Sequence, residues 1–248
     1  MTARAADFLP ARRIRLVETP APVLSPEQRA AMDHAWDVTV RANPAFFDGP
    51  VAALTGVGWR DGGHDLVLSW ARATYRFRAL RRVPGAPPLA SLFVTVLQPA
   101  DDGRLLVGRT GRSTASPGRW QLPGGTVEPP DADAESDISW LRRHAARELA
   151  EETGSDTAPE ALALWRATRG ANGSVGVHFL APPRPAAQLR ERYEALVAAE
   201  TARGVEPELD RIELVGSTGG PAALEGPQAD YLRPVVDHYG RTASPRTP

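Results

Sequence analysis

The segment Ile138–Gly154, ISWLRRHAARELAEETG, constrains this chain more than any other. At about 100° per residue, Ile138, Leu141, Ala145 and Leu149 fall within about 80° of one another, which predicts an amphipathic helix over 137–153 with one face to bury. Glu148, Glu151 and Glu152 fall within about 100° of one another, beside that apolar stripe rather than opposite it. Three carboxylates at i, i+3 and i+4 share an edge of the core and repel one another unless a cation sits among them. Oxygen donors of this kind suit Mg²⁺, with Mn²⁺ as the alternative. On the helix alone, a solvated acidic face is the competing interpretation. Gly154 supplies a left-handed helix cap.

The rest of the chain supplies mostly strands. ARRIRLVE near the start reads as a strand, and Ser25, Pro26 and Gln28 form a capping signal for a helix over 26–42. Residues 51–80 read as a three-strand meander, VAALTGVGW, DLVLSWA and TYRFRAL. The proline-rich VPGAPP at 83–88 reads as a linker. The expected organisation is therefore a small α+β domain over 1–85, a second domain over 86–240 and a disordered tail over 241–248. In the second domain LASLFVTVLQ reads as a buried strand and RLLVGRT as its neighbour. ALALWRATR and SVGVHFLA flank Asn172-Gly173, a hairpin signal. A helix after Pro185, the strand RIELVG and a short helix over 227–240 complete the second domain.

Composition excludes several functions. The chain has 248 residues and no cysteine, so disulfide scaffolds, thiol catalysis and thiolate zinc are ruled out. A net charge of −1 argues against a nucleic-acid-coating protein. No run approaches the roughly 18 apolar residues of a membrane span, and the start lacks the apolar core of a secretory signal, so a cytoplasmic protein is expected. All 29 basic residues are arginine, so any phosphate-binding cation is a planar guanidinium.

Upstream of the acidic helix lies LPGGTVEP (122–129), and RELAEETG (147–154) sits within the helix. Together they resemble the Nudix box, whose second half Arg147, Glu148, Leu149, Glu151, Glu152 and Gly154 match. The resemblance covers about 89–240. It implies an α/β fold, an α/β/α sandwich with a mixed sheet, preceded here by the small α+β domain. It also implies a Mg²⁺-dependent pyrophosphohydrolase, with Mn²⁺ as the alternative metal. Metal would be held by Glu148, Glu151, Glu152 and the Gly125 carbonyl, and Arg147 would act with these glutamates in catalysis. A further glutamate comes from a later loop, where Glu206, Glu208 and Glu213 compete and Glu208 is favoured. Glu148 or that later glutamate would be the general base.

The sequence also departs from the family pattern. The first-half glutamate should fall at Asp131, and the arginine arrives eight residues late, which places an insertion in DADAESDISW. Asp131 and Asp137 are the substitutes open to the missing glutamate, and Asp137 or Ser139 can cap the helix. Arg109, Arg112 and Arg119 are candidate phosphate clamps. His144, at i−4 from Glu148, is a candidate support for it, and His178 reads as a structural histidine.

The stretch AWDVTVRANPAFFDGPVAALTG followed by LVLSWARATYRFRAL resembles the N-terminal region of UDP-glucose/UDP-galactose pyrophosphatases. A UDP-sugar is therefore the leading substrate, with ADP-ribose or a nucleoside triphosphate next. A catalytically silent domain that senses a nucleotide is the alternative from another class. The expected partner is a small-molecule nucleotide, with neither nucleic acid nor membrane, and a homodimer is compatible with the sequence.

Overall fold

The computed structural model describes residues 5–87, 89–131, 135–216 and 220–243. In chain order the strands and helices are β1 (Asp7–Leu9), β2 (Arg13–Glu18), α1 (Pro26–Ala42), β3 (Pro50–Arg60), β4 (Asp65–Thr74), β5 (Ala90–Leu97), β6 (Leu105–Thr110) and β7 (Trp120–Gln121). They continue with α2 (Ile138–Thr153), β8 (Ala163–Arg169), β9 (Val175–Leu180), α3 (Ala186–Ala202), β10 (Leu209–Val215) and α4 (Leu232–Ala243). The architecture is mixed α/β, as expected. A seven-stranded sheet runs β1-β8-β9-β5-β3-β4-β2, and a three-stranded sheet runs β10-β6-β7. No helix among the described residues is long and apolar enough to cross a membrane.

Local chemistry explains the helix ends. Ser25 Oγ accepts from the Gln28 backbone N–H, and Gln28 Oε1 accepts from the Ser25 N–H, the expected reciprocal cap. Asp137 caps α2 by accepting from the Trp140 N–H at 3.0 Å. Asp137 is thus the helix cap, while Asp131 lies on the exposed surface. Gly154 ends the helix at φ 69°. The expected insertion includes residues 132–134, which lie outside the described residues. So do Pro88 in the linker and 244–248 of the tail, whereas Arg241–Ala243 continue α4.

The large sheet crosses position 85. β3 pairs with β5 through Ala53 and Leu54 opposite Ser91 and Ala90, and β1 pairs with β8. The stripe of α2 (Leu141, Ala145, Leu149) is buried with Leu92, Val94 and Val96 of β5 and also with Leu66, Leu68 and Trp70 of β4. Trp70 and Trp140 meet with ring centroids 5.0 Å apart.

One expected strand does not form. TYRFRAL alternates like a strand, but Tyr75–Arg82 is a 3-10 helix. β2 pairs with β4 over Asp65–Trp70, and β5 with the Ala52-to-Val127 hydrogen bond meets β3 over residues 52–54. The segment instead tucks Ala79 and Leu80 beneath α1, against Met32 and Trp36.

Candidate active site

The loop after β7 is laid along β5. Val94 and Val96 donate their N–H groups to the carbonyls of Gly125 and Pro123, and the Val127 N–H donates to Leu92. This brings two glycines against α2 where a side chain has no room. Gly124 sits at φ 147°, and a Cβ there would collide with the Val94 carbonyl. A Cβ on Gly125 would lie 2.5 Å from Glu148 Oε2. The Gly125 carbonyl, already accepting from Val94, keeps a second lone pair.

Each glutamate of α2 has a different environment. Glu152 is 2% exposed; its Oε2 accepts from the Gly124 N–H at 2.7 Å, and its buried Oε1 has no partner. Burial, then the charges of Glu208 and Glu148, hold its pKa well above the ordinary carboxylate value. Glu148 Oε1 lies 3.1 Å from His144 Nε2 and 3.7 Å from Arg147. The His144 Nε2 is also 3.1 Å from the Thr126 carbonyl, and its Nδ1 is 3.1 Å from an Arg147 guanidinium nitrogen. With the proton on Nε2, that N–H is shared between the Thr126 carbonyl and Glu148, and Arg147 donates to Nδ1. Glu151 is more exposed, and burial followed by the Glu148 charge raises its pKa.

Arg147 also reaches Glu128 at 3.3 Å and Glu151 at 3.9 Å. The carboxylate from the upstream loop that meets Arg147 is therefore Glu128, three residues before Asp131. The sequence displays Glu128 inside GGTVEP, but counting the family spacing leads past it.

From the other side, Glu208 enters ahead of β10. Its carbonyl accepts from Gly111 at 2.7 Å, a close approach that a Cβ on Gly111 would obstruct. Solvent reaches the side chain of Glu208, yet protein crowds its carboxyl group. That desolvation, followed by the charges of Glu148 and Glu151, raises its pKa. Glu206 lines the same cleft, whereas Glu213 is paired with Arg211 on β10 at 2.6 Å.

The three candidate clamps separate. Arg119 lines the cleft, donating to Gln121 Oε1 at 3.0 Å while its buried Nε is unpartnered. Arg109 is held by Asp210 at 2.8 and 3.2 Å, and Arg112 is exposed on the loop after β6.

Gly124, Gly125, Glu151, Glu206, Glu208 and Arg119 line a cleft of about 720 Å³, and Glu148 and Glu152 stand behind its glycine loop. Phe47, Tyr75 and Arg78 line the same cleft. Its lining includes Thr95 and Thr168, whose hydroxyls bond the two nitrogens of buried His178 at 2.7 Å each. Burial pushes the His178 pKa down to about 3, so the ring is neutral and structural.

No three acidic or histidine side chains among the described residues are gathered into a ready-made metal centre. Glu148 is instead turned to His144 and Arg147, and Glu152 to Gly124. The donor types nevertheless suit a hard divalent cation: Glu148, Glu151, Glu152 and Glu208 offer only oxygens, and the Glu152 Oε1 is a buried acceptor with no hydrogen-bond donor.

No family model matches the chain, and no curated protein matches it. Among solved structures it is similar to the MutT protein from Methanosarcina mazei Go1, at 20% identity and a TM-score of 0.43 over 63% of this chain and 96% of that one. It is similar to the E. coli ORF135 protein at 19% identity and a TM-score of 0.39, over 64% of this chain and 95% of that one. It is also similar to a Nudix hydrolase from Nitrosomonas europaea at 19% identity and a TM-score of 0.37, over 64% and 93% of the two chains. Likeness at this level carries no argument about activity, which must come from the chemistry of the cleft.

Proposed function

We propose that this protein is a divalent-metal-dependent pyrophosphohydrolase acting on a nucleoside diphosphate linked to a second group. A UDP-sugar is the leading substrate, split to UMP and a sugar 1-phosphate. One observation carries the proposal: the buried Glu152 carboxylate, short of a partner, is electrostatically coupled to Glu148 and Glu208 beside a substrate-sized cleft. Mg²⁺ or Mn²⁺ would be held by Glu148, Glu151, Glu152, Glu208 and the Gly125 carbonyl. A bound cation would supply charge neutralisation at the diphosphate oxygens and acidify a water.

The remaining work falls to the chain. A water oxygen adds to one phosphorus, the bridging P–O bond breaks, and Glu148 or Glu208 takes the water's proton. His144 and Arg147 hold Glu148 in place, and Arg147 is itself steadied by Glu128. Of the three candidate clamps, Arg119 alone lines the cleft and so is the one placed to meet phosphate oxygens. ADP-ribose or a nucleoside triphosphate would use the same chemistry. A silent sensor has no need of these coupled carboxylates. The proposal places the protein in the cytoplasm, acting on small molecules, with a homodimer compatible.

The test is phosphate release from a panel of nucleotide sugars, ADP-ribose and nucleoside triphosphates, coupled to a phosphatase. Turnover should require Mg²⁺ or Mn²⁺, vanish in EDTA and return on adding metal. Turnover that persists in chelator overturns the metal assignment. Nucleotide binding without any hydrolysis supports the sensor instead.

A further inference from the structure

The adjacent residues Phe46 and Phe47 are placed in opposite environments. Phe46 packs into an aromatic cluster, 6.2 Å from Trp36 and 6.0 Å from Tyr75 between ring centroids. Phe47, by contrast, is 80% exposed and lines the cleft, although exposing a large apolar ring costs burial energy.

The loop holding it is clamped on both sides. Before it, Asn43 ends α1 and donates from Nδ2 to the Thr114 carbonyl at 3.2 Å, tying the loop to the one after β6. After it, Asp48 accepts from the Arg76 backbone N–H at 2.8 Å and from Arg76 Nε at 2.5 Å, and Asp33 holds the same guanidinium at 3.0 Å. The Phe47 ring lies against Gly49, where a Cβ would approach within 2.9 Å of ring carbon Cε1. In the same cleft lining, the Arg78 guanidinium lies 4.8 Å over the Tyr75 ring and donates to the Tyr75 hydroxyl at 2.6 Å. The cleft lining therefore includes an exposed aromatic face, carried on a loop clamped on both sides, and a flat cation.

We propose that Phe47, with Arg78 and Tyr75 of the same cleft lining, is the stacking platform for the planar nucleobase of the ligand. The N-terminal segment would then read the nucleoside end, while α2 and the loop before β10 act on the diphosphate. An aromatic face and a guanidinium plane stack on any base through its π-surface, giving affinity without demanding one base. This rests on the preceding assignment only in taking the ligand to be a nucleotide.

The experiment is isothermal titration of the full chain with UMP and AMP in Mg²⁺ buffer, with ribose 5-phosphate as the base-free probe. Phe47→Ala should weaken both nucleotides by roughly 5- to 100-fold while leaving ribose 5-phosphate unchanged. Phe47→Trp should restore nucleotide affinity, and neither substitution should shift the melting temperature because the ring is already in solvent. Unchanged nucleotide affinity in Phe47→Ala overturns the proposal, whether or not the association state changes. An equal loss for ribose 5-phosphate overturns it too, as does a wild-type chain that binds neither nucleotide. Failure of the hydrolase assignment is separately visible. There, no diphosphate compound is turned over, yet the Phe47-dependent nucleotide affinity persists.

Discussion

At the scale of single residues, the cleft trades stability for function at Glu152. A buried carboxylate with one oxygen unpartnered is costly when ionised, and its raised pKa expresses that cost. Glu152→Gln keeps the shape and removes the charge, so turnover should fall by orders of magnitude while the metal-free protein melts at an equal or higher temperature. Wild-type turnover in that variant would show that the carboxylate takes no part in the reaction. His178 behaves oppositely with pH. Its folded pKa, about 3, lies below the unfolded value of 6.5, so the stability it contributes is present above 6.5 and is lost as pH falls toward 3. The loss should amount to several kcal/mol across that range, at up to about 1.4 kcal/mol per pH unit. NMR should show an imidazole that stays neutral down to pH 5; a midpoint near 6.5 would contradict the burial.

At the scale of elements, α2 is positioned by its ends and one aromatic anchor. Asp137 caps the helix, Trp140 donates from Nε1 to the Glu128 carbonyl at 3.1 Å, and Gly154 closes it. Asp137→Ala should cost ~1 kcal/mol of stability, read as a lower urea midpoint with unchanged m. Its effect on turnover should be small, because the glutamates sit three turns further along the helix. The loop that faces α2 is less forgiving. Gly125→Ala would force Glu148 aside, so turnover should drop at least tenfold with the fold retained, as checked by circular dichroism alongside the phosphate assay. Normal turnover in this variant would mean that Glu148 need not stand where it does.

At the scale of the whole molecule, the segments on either side of position 85 share one sheet and one core. Leu66, Leu68 and Trp70 from the first segment are fully buried with α2 and β5 from the second. A fragment spanning 86–240 would unpair Ala90 and Ser91 of β5, strip β1 from β8 and uncover that apolar face. It should therefore aggregate or melt without a cooperative transition in calorimetry. A soluble fragment with a sharp transition would establish the two segments as independent domains.

The chain's own order shows where sequence suffices. The helices at 26–42 and 137–153, their caps at Ser25 and Gly154, and the hairpin at Asn172-Gly173 depend on neighbours within a few residues, so local pattern specifies them. The carboxylate edge of α2 is legible for the same reason, since helical period alone sets Glu148, Glu151 and Glu152 together. Contacts between distant segments are not legible in this way. TYRFRAL has a strand's alternation, yet it forms a 3-10 helix whose Ala79 and Leu80 pack with Met32 and Trp36 of α1, a partner that its own alternation does not reveal. Glu128, rather than Asp131, meets Arg147 because the path of the glycine loop along β5 decides which side chain arrives, and residue counting cannot follow that path. Arg109 and Arg119 look alike in sequence, yet Asp210, 101 positions away, ties up the first and leaves the cleft to the second. Local periodicity fixes which face an element presents; what meets that face depends on how the chain returns to it.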